Sequence, residues 1–193
     1  MKANLATVQK LESSFLSCEK DFETILRKLF IENQPHSDEL KRLLVINTSD
    51  TLDKNNSQYN QIVKSYDLAK LVEDRYVMFN SKLKMPEKEE VKSMIMISMD
   101  DFAPNRKNPQ YRDCKLHFDI VTHMDYWDIG DYQVRPLKIA GYIDGILNKS
   151  KLSGIGELEF FSCQKLNCDY GFAGYNLIYK AIHGSEDRIP ILD

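Results

Sequence analysis

The sequence predicts an α+β fold, in which N-terminal helices precede a mainly antiparallel sheet of about four strands with a helix packed on one face. Three observations predict it. In the first part of the chain, apolar residues recur at spacings of three and four, as on one face of a helix. From Val91 the spacing becomes the alternation of strands. A second helical pattern, which begins at Arg135 and Pro136, divides the strands into two pairs. We therefore expect an N-terminal helical region over residues 1–90 and an α+β domain over residues 91–193.

Length and composition are those of an ordinary soluble protein. Of the 193 residues, 42% are apolar and 28% are charged, and the formal net charge of -3 is too balanced for a protein dedicated to nucleic acid or membrane surfaces. Four cysteines without a CxxC pair, and a chain start without the apolar run of a signal peptide, predict synthesis in a reducing, intracellular place. Apolar runs fall far short of the roughly 20 residues that cross a bilayer, so we expect no membrane partner.

The first helix has the strongest pattern in the chain. Seven apolar residues lie on one helical face at alternating spacings of three and four: Val8, Leu11, Phe15, Cys18, Phe22, Ile25 and Leu29. The opposite face is charged, so the apolar face needs a partner surface along its whole length. We expect that surface to lie in the same chain, and packing against another subunit remains open.

The other N-terminal elements are shorter. The first helix should end near Asn33, before a proline, and Ser37 can cap a second helix that runs to about Leu44. Residues 47–61 are rich in Asn, Ser, Thr and Asp with few apolar anchors, which predicts an exposed loop or linker. A third helix is expected over about residues 66–79.

The first strand pair is predicted as a hairpin. Residues 94–99 form an apolar run bounded by acidic residues, which is typical of a buried strand. Residues 114–120 alternate strictly between apolar and polar, which is typical of a strand with one buried face. The polar residues between the two strands predict a long loop at the end of the hairpin.

The second part of the domain contains a loop, a helix and another strand pair. The loop over residues 125–133 holds the only tryptophan, Trp127. In the helix over residues 135–148, Gly141 and Gly145 are four apart and would let another backbone approach closely. The third strand, around Leu158 and Phe160, changes phase at Phe161, and the fourth runs through residues 175–179.

Two sets of residues could hold a metal ion. His117, Asp119 and His123 share one parity of a strand and could project toward a divalent cation, although polar residues at alternate positions are also what any solvated sheet face displays. We favour the solvated face.

The second set is acidic. Asp100 and Asp101 at a strand end, together with Glu157 and Glu159, could hold the magnesium ion of a nuclease. That class usually places a lysine two residues after its second acid, and here Glu159 and Phe161 occupy those positions. The sequence also lacks a Gly-rich phosphate loop, a G-x-S-x-G elbow and a cysteine with an evident histidine partner. We therefore expect no enzymatic activity, no metal and no cofactor.

The order and character of the pieces in the C-terminal half allow a comparison with known families. It contains the strand KLHFDIVTH, the aromatic loop MDYWDIGDY, the helix RPLKIAGYIDGILN, the turn LSGIGELEFF and the final AGYNLIYKAIHGSED. Together they resemble a tailed-bacteriophage neck or tail-completion protein of the tail-terminator or head-to-tail joining type. The long amphipathic N-terminal helix departs from that family.

The resemblance implies a structural role. Proteins of that family are non-enzymatic virion subunits whose sheet is flanked by helices, and they form hexameric or dodecameric rings that cap the tail tube or join it to the portal. This chain would then be synthesised in the host cytoplasm and end in the virion, as a homo-oligomeric ring. Its partners would be portal, connector or tail-tube proteins, and DNA would meet it only in transit through the lumen.

The resemblance also indicates which residues contact partners. The loop Phe102–Tyr111 and the loop around Trp127 would reach out, and an arginine beside aromatic residues is a common interface residue or structural anchor, of which we favour the interface. The interface candidates are Phe102, Arg106, Lys107, Tyr111, Arg112, Tyr126, Trp127 and Arg135. The basic members of the first loop could contact phosphates, and we favour a solvated loop.

Two other functions remain open. One is a metal-dependent enzyme that acts on nucleic acid through the acidic residues and histidines above. The other is a small regulatory or adaptor protein that binds a partner through the apolar face of the first helix.

Overall fold

A five-stranded sheet lies at the centre of the fold. The structure is a computed structural model that describes residues 18–32, 34–79, 92–106, 111–152, 155–168 and 170–183. The strands are β1 Val77–Met78, β2 Ser93–Pro104, β3 Arg112–His123, β4 Lys151–Leu152, β5 Gly156–Glu157, β6 Glu159–Asn167 and β7 Phe172–His183. The sheet has the order β1-β2-β3-β7-β6, and β4 pairs with β5 in a separate ribbon. Only β1 and β2 run parallel; all the other pairs are antiparallel. The predicted α+β class is confirmed, with one more strand in the main sheet than expected.

Five α-helices accompany the sheet in the described residues. They are α1 Cys18–Phe30, α2 Ser37–Val45, α3 Ser57–Ser65, α4 Leu68–Glu73 and α5 Arg135–Leu147, and a short 3-10 helix covers Met124–Tyr126. Helix α5 starts with a proline in its first turn, as predicted, because proline has no N–H to leave unsatisfied there.

One hydrophobic core joins the N-terminal helices to the sheet and α5. Its fully buried members come from α1, α2, α4, α5, β2, β3 and β7, and include Ile25, Leu29, Leu40, Leu43, Leu71, Ile95, Leu116, Phe118, Ile120, Ile139, Ile143 and Tyr179. The apolar face predicted for the first helix therefore packs within the chain over its described part. Residues 8–17 of that face, and the predicted boundary near residue 90, lie outside the described residues.

The start of α2 is as predicted, but its cap is not. His36 precedes the helix in the left-handed region with φ 76° and provides no side-chain cap. Ser37 is instead the first helical residue, and its buried hydroxyl has no hydrogen-bond partner among the described residues.

The polar interval over residues 47–61, predicted as an exposed loop or linker, has many exposed residues but is held against α2 by hydrogen bonds. Arg42, which is only 5% exposed, donates hydrogen bonds to the carbonyl oxygen of Asp53 and to the side-chain oxygen of Asn60. The hydroxyl of Thr51, which is fully buried, donates to the carbonyl oxygen of Arg42 at 2.8 Å. These polar contacts with α2 hold the interval in place, although it has few apolar anchors.

Helix α3 begins inside that predicted loop, and the predicted third helix over residues 66–79 is much shorter than expected. The side chain of Asn56 caps α3 by accepting hydrogen bonds from two main-chain N–H groups of its first turn. Asp67 caps α4 in the same way. Arg75 then adopts φ 58°, which takes the chain out of the helix and into β1.

Both predicted strand pairs are confirmed, and their irregularities are local. The register of β2 and β3 shifts between Asp100 and Ala103, where Asp101 adopts φ 52°. The register of β6 and β7 shifts between Phe160 and Ser162, so the predicted change of phase at Phe161 is a β-bulge. Because β2 extends to Pro104, the loop predicted over residues 102–111 is shorter than expected.

Candidate interaction surfaces

The end of the β2–β3 hairpin is the first candidate surface, and it carries two exposed residues that the sequence predicts as interface candidates. Arg106 is exposed, and 38% of Tyr111 is exposed. On the two sides of the hairpin end, the N–H of Asn105 donates to the carbonyl oxygen of Tyr111 at 3.0 Å. Phe102 and Arg112 are half-buried, and Phe102 packs against the core. Lys107, the remaining candidate of this loop, lies outside the described residues.

In the aromatic loop after β3, the most exposed aromatic residue is Tyr132, which was not among the predicted interface candidates. Tyr126 and Trp127 are half-buried, and the Trp127 ring centroid lies 6.4 Å from that of Tyr175. Tyr132, in contrast, is fully exposed.

The backbone that presents Tyr132 is unusual. Gly130, Asp131 and Tyr132 follow one another in the left-handed region, with φ 78°, 49° and 60°. The turn is closed by a hydrogen bond of 2.8 Å from the N–H of Gln133 to the carbonyl oxygen of Gly130. A non-glycine residue in this region costs free energy, and the fully exposed Tyr132 side chain makes no compensating contact with the described residues. In the sequence, the signal for this turn is Gly130 followed by Asp131 and Tyr132.

Arg135 is a structural anchor, which corrects its assignment as an interface candidate. It is fully buried, so a partner cannot reach it. Its guanidinium donates hydrogen bonds of 2.6–2.8 Å to four main-chain carbonyl oxygens, those of Tyr126, Leu43, Ile46 and Thr48. Burial lowers the pKa of Arg135 to about 10, so the side chain is cationic at neutral pH.

An apolar groove between α1 and α4, which we call the α1–α4 groove, was not predicted as a surface. Its floor consists of Phe22, Leu26, Leu68, Val72 and Phe79. The rings of Phe22 and Phe79 lie 5.1 Å apart, and 45% of Phe79 is exposed. Among the described residues the rim is mostly acidic, with Glu19, Glu23 and Asp67, and its basic residue Arg27 binds Glu23 at 2.8 Å.

The histidines of β3 are engaged by neighbouring side chains. His117 Nε2 lies 3.0 Å from Asp100 Oδ1 on β2, and Asn176 on β7 donates to Asp119 Oδ1 at 2.5 Å. His123 lies at the far end of the strand, where its ring meets Phe172 edge-on at 5.0 Å. Within the parts of the chain that the structure describes, no three His, Cys, Asp or Glu residues are grouped so that they could hold a metal ion.

Three of the four acidic residues of the alternative nuclease hypothesis, Asp101, Glu157 and Glu159, line the same cleft, and Asp100 is not among its lining residues. This open cleft, which we call the acidic cleft, is lined by Asp101, Asp113, Glu157 and Glu159, and also by Lys115 and Lys180. The lysines that the local spacing did not supply thus come from β3 and β7. The Lys115 ammonium binds Asp101 at 2.5 Å and holds the pKa of that carboxyl below its ordinary value. Lys115 and Lys180 also lie 5.4 and 4.8 Å from the centre of the Phe161 ring.

Comparisons with known proteins identify a family and a distant structural match. None of the described helices is long and apolar enough to cross a membrane. No curated protein matches the chain. A chain from the structure titled "Virion of native gene transfer agent (GTA) particle" aligns with a TM-score of 0.42 and 12% identity, over 66% of this chain and 91% of that one. Similarity at this level does not extend to function. The model of the YomW family matches residues 37–181, which is well over half of the sequence, and the chain therefore belongs to the YomW family.

Proposed function

We propose that this chain is a structural subunit of a phage-like virion, which assembles with copies of itself into a ring at the head-to-tail connector or the tail end, as a tail terminator or neck protein. The sequence resemblance of the C-terminal half supports this role. The structural observation that carries it is the α1–α4 groove, a continuous strip of apolar side chains with an acidic rim. Soluble monomers rarely leave such a strip open unless it binds something.

Exposed aromatic residues on other elements add to this support. Tyr132 and Tyr111 project from two separate loops, and each has an aromatic body with a polar tip, the combination enriched at protein interfaces. A ring subunit needs two different complementary patches for its neighbours and further patches for its axial partners. We propose portal, connector or tail-tube proteins as the axial partners. DNA would contact the ring only while it passes through the lumen.

The test is the mass of the purified protein, measured by light scattering and negative-stain microscopy, alone and with phage particles or tail extract. We expect a closed hexamer or dodecamer, or incorporation into particles. A chain that remains monomeric and never enters particles would contradict the proposal.

A matched pair of tyrosines tests the surface directly. Tyr132 and Tyr170 are both exposed and both left-handed, with φ 60° and 57°, so alanine should have the same effect on the backbone at either position. We expect Tyr132→Ala to weaken assembly at least about tenfold, as for an aromatic interface residue, and Tyr170→Ala to leave it unchanged. Equal effects would remove Tyr132 from the proposed interface.

The acidic cleft keeps a metal-dependent enzyme on nucleic acid as the second candidate. Its support is that carboxylates and lysines from five strands line one cleft. Hydrolysis of DNA or RNA with magnesium or manganese, lost in Asp101→Asn, would establish it. The same assay without any hydrolysis would remove it.

The adaptor hypothesis rests on the apolar face of the first helix. In the described part of that face, Ile25 and Leu29 are fully buried and Phe22 lines the α1–α4 groove. Replacing Phe15 and Phe22 by Asp tests this candidate. Loss of binding to a partner without unfolding would support it, and unfolding would show that the helix acts as part of the core.

A further inference from the structure

We infer that the outer edge of β6 pairs antiparallel with the same edge of a second copy of this chain, so that two five-stranded sheets join into one. The inference goes beyond the proposed function and does not depend on it, because a virion subunit and a protein of another class could both form this contact. Strand β6 is the last strand in the sheet order β1-β2-β3-β7-β6. The unpaired main-chain groups of such an edge are a template for another strand.

The part of that edge that can pair is residues 161–167, which we call the free edge. Before it, the N–H of Leu158 donates to the carbonyl oxygen of Ser150 at 3.0 Å, and the N–H of Phe160 donates to Asn148 Oδ1 at 3.3 Å. Residues 148–150 therefore cover the outer side of β6 as far as Phe160. Along the free edge, β7 is the one strand of the described chain that pairs with β6.

The direction of the main-chain groups along the free edge follows from the covered part. Consecutive residues of a strand direct their N–H and C=O groups alternately to the two sides. Leu158 and Phe160 bond outward, so Glu159 between them faces β7. Its partner is Lys180, and every second residue of β7 from there faces β6: Lys180, Ile178, Asn176 and Gly174, opposite Glu159, Ser162, Gln164 and Leu166. The residues that direct their main-chain groups to the outer side are therefore Cys163, Lys165 and Asn167.

One symmetric register uses the whole free edge. With Gln164 opposite its own copy, Cys163 lies opposite Lys165 of the second copy, and Phe161 lies opposite Asn167 of the second copy. Residues that direct their groups outward then oppose one another, which is the condition for hydrogen-bonded pairs in an antiparallel ladder. A centre one residue to either side would leave one end of the free edge without partners. An identical strand of the same length therefore fits the space between Asn148 and the end of β6.

The side chains also suit a second copy. Lys165 is the one charged residue between Phe161 and Asn167. A lysine on an edge strand opposes pairing where it meets another positive charge. In the symmetric register Lys165 lies opposite Cys163 and about 7–8 Å from its own copy. The Gln164 amide has both donors and an acceptor, so it can bond its own copy across the two-fold axis.

Segments of the same chain are the competing occupants. Residues 80–91 begin after β1 and end before β2, at the opposite edge of the sheet, and three strand spacings of about 4.8 Å separate β2 from β6. Residues 184–193 follow β7 directly, but they include Pro190, which has no N–H for a ladder. Residues 1–17 carry a helical pattern rather than the alternation of a strand. A second copy of β6 is therefore the better occupant.

Cross-linking tests the register. In a chain with serine at Cys18 and Cys168, Lys165→Cys places a cysteine opposite the native Cys163 of the second copy, at a Cα separation that a disulfide can span. We expect oxidised glutathione to convert this chain into a disulfide-linked dimer. Two matched controls keep one exposed cysteine each: the native Cys163 alone, and Lys165→Cys with Cys163→Ser. Each cysteine is then about 7–8 Å from its own copy, so both controls should run as monomers on a non-reducing gel.

A proline tests the main-chain hydrogen bonds. The N–H of Lys165 points to the outer side, so Lys165→Pro removes a donor from the free edge and none from the pairing with β7. We expect Lys165→Pro to weaken the dimer at least about tenfold in analytical ultracentrifugation. Lys165→Ala keeps the N–H and removes the charge, so its dimer should be at least as tight as that of the native protein. Circular dichroism of both variants checks that they are folded.

The outcomes separate this inference from the proposed function. Absence of the disulfide-linked dimer, or its appearance to the same extent in either control, would overturn the inference. Equal effects of Lys165→Pro and Lys165→Ala would overturn it too, and so would a dimer that appears only after deletion of residues 184–193, which would assign the free edge to that segment. A ring that forms without the disulfide-linked pair would overturn this contact alone. A dimer linked through β6 that never enters particles would support this contact and contradict the proposed function.

Discussion

Nη1 of Arg135 donates a hydrogen bond of 2.8 Å to the carbonyl oxygen of Ile46, the residue that follows α2. The same nitrogen bonds Leu43, and Nη2 bonds Thr48. A helix that ends leaves carbonyl groups without partners inside the helix. Arg135, at the start of α5, donates to such groups at the end of α2. It thereby connects α5 to the N-terminal helices.

Replacing Arg135 should therefore destabilise the whole protomer. Arg135→Met would leave several buried carbonyl oxygens without a donor, which costs about 3–5 kcal/mol of the free energy of unfolding. Arg135→Lys should recover only part of that loss, because one ammonium cannot reproduce the planar fork of a guanidinium. Urea denaturation, followed by circular dichroism, measures both.

Arg106→Met is the matched control for this prediction. Arg106 is exposed at the hairpin end, so its loss should change the free energy of unfolding by less than about 0.5 kcal/mol. If Arg135→Met resembled this control, the role of Arg135 as an anchor would be wrong.

A second polar contact joins α5 to strand β7 of the sheet. The hydroxyl of Tyr179, which is fully buried on β7, donates to Asp144 Oδ1 at 2.8 Å. Burial, followed by that hydrogen bond, raises the pKa of Tyr179. Tyr179→Phe removes the donor from a carboxylate and should cost about 1–2 kcal/mol in the free energy of unfolding. Tyr170→Phe, at an exposed tyrosine, should cost less than about 0.5 kcal/mol in the same urea titration; equal values for the two would show that the hydrogen bond adds no stability.

The elements that could be predicted from the sequence are those whose pattern is local. The alternation in β3 and the apolar stripe of α5 each depend on neighbours within a few residues. Helix α5 was predicted to within one residue, whereas β3 extends beyond the predicted alternation of residues 114–120 at both ends. The phase change at Phe161 was likewise visible, because a β-bulge moves every later side chain of the strand to the other face.

The parts that were missed depend on residues far apart in the chain. Strand β1 has two residues and forms only by pairing with β2, so it is too short for a periodic pattern to predict it. The acceptors of Arg135 on the α2 side lie 87–92 residues earlier, and a buried arginine is rare enough that exposure was the natural expectation. The acidic cleft likewise takes its lysines from β3 and β7, which no spacing around Glu157 could reveal.

Two glycines give opposite predictions for the same substitution. A Cβ on Gly174 in β7 would lie 1.7 Å from the carbonyl oxygen of Ile120 in β3, and main-chain atoms at the centre of a sheet cannot move aside. Gly174→Ala should therefore cost about 3 kcal/mol or more in the free energy of unfolding. Gly141 in α5 has nothing within 4 Å of such a Cβ, so Gly141→Ala should gain about 0.5–1 kcal/mol, because alanine loses less entropy in a helix.

Thermal melts of the two variants against the native protein check both signs. The open space at Gly141 also means that the close backbone approach expected there does not occur within the protomer. Stabilisation by Gly174→Ala, or destabilisation by Gly141→Ala, would contradict the packing of the sheet or of α5.

The ion pair between Lys115 and Asp101 predicts a local dependence on pH. The hydrogen bond from Lys115, and then its charge, hold the pKa of Asp101 below its ordinary value of 3.8. The folded state therefore prefers the charged carboxylate, and the resulting stability is present above pH 3.8 and is lost as the pH falls through the lowered pKa. Both groups are exposed, so the effect on the whole protein should be small and should shrink in salt.

Titration of the side-chain carboxyl carbons by NMR measures this directly. We expect the pKa of Asp101 below 3.8 in the native protein and a return toward 3.8 in Lys115→Gln. Asp50 is the internal control, because hydrogen bonds from Thr48 and Tyr59 lower its pKa and do not involve Lys115. Its pKa should stay low in both proteins. A native Asp101 that titrates at or above 3.8 would mean that Lys115 is not its partner in solution, and the carboxylates of the acidic cleft would then be open to a cation, which is the arrangement that the enzymatic alternative requires.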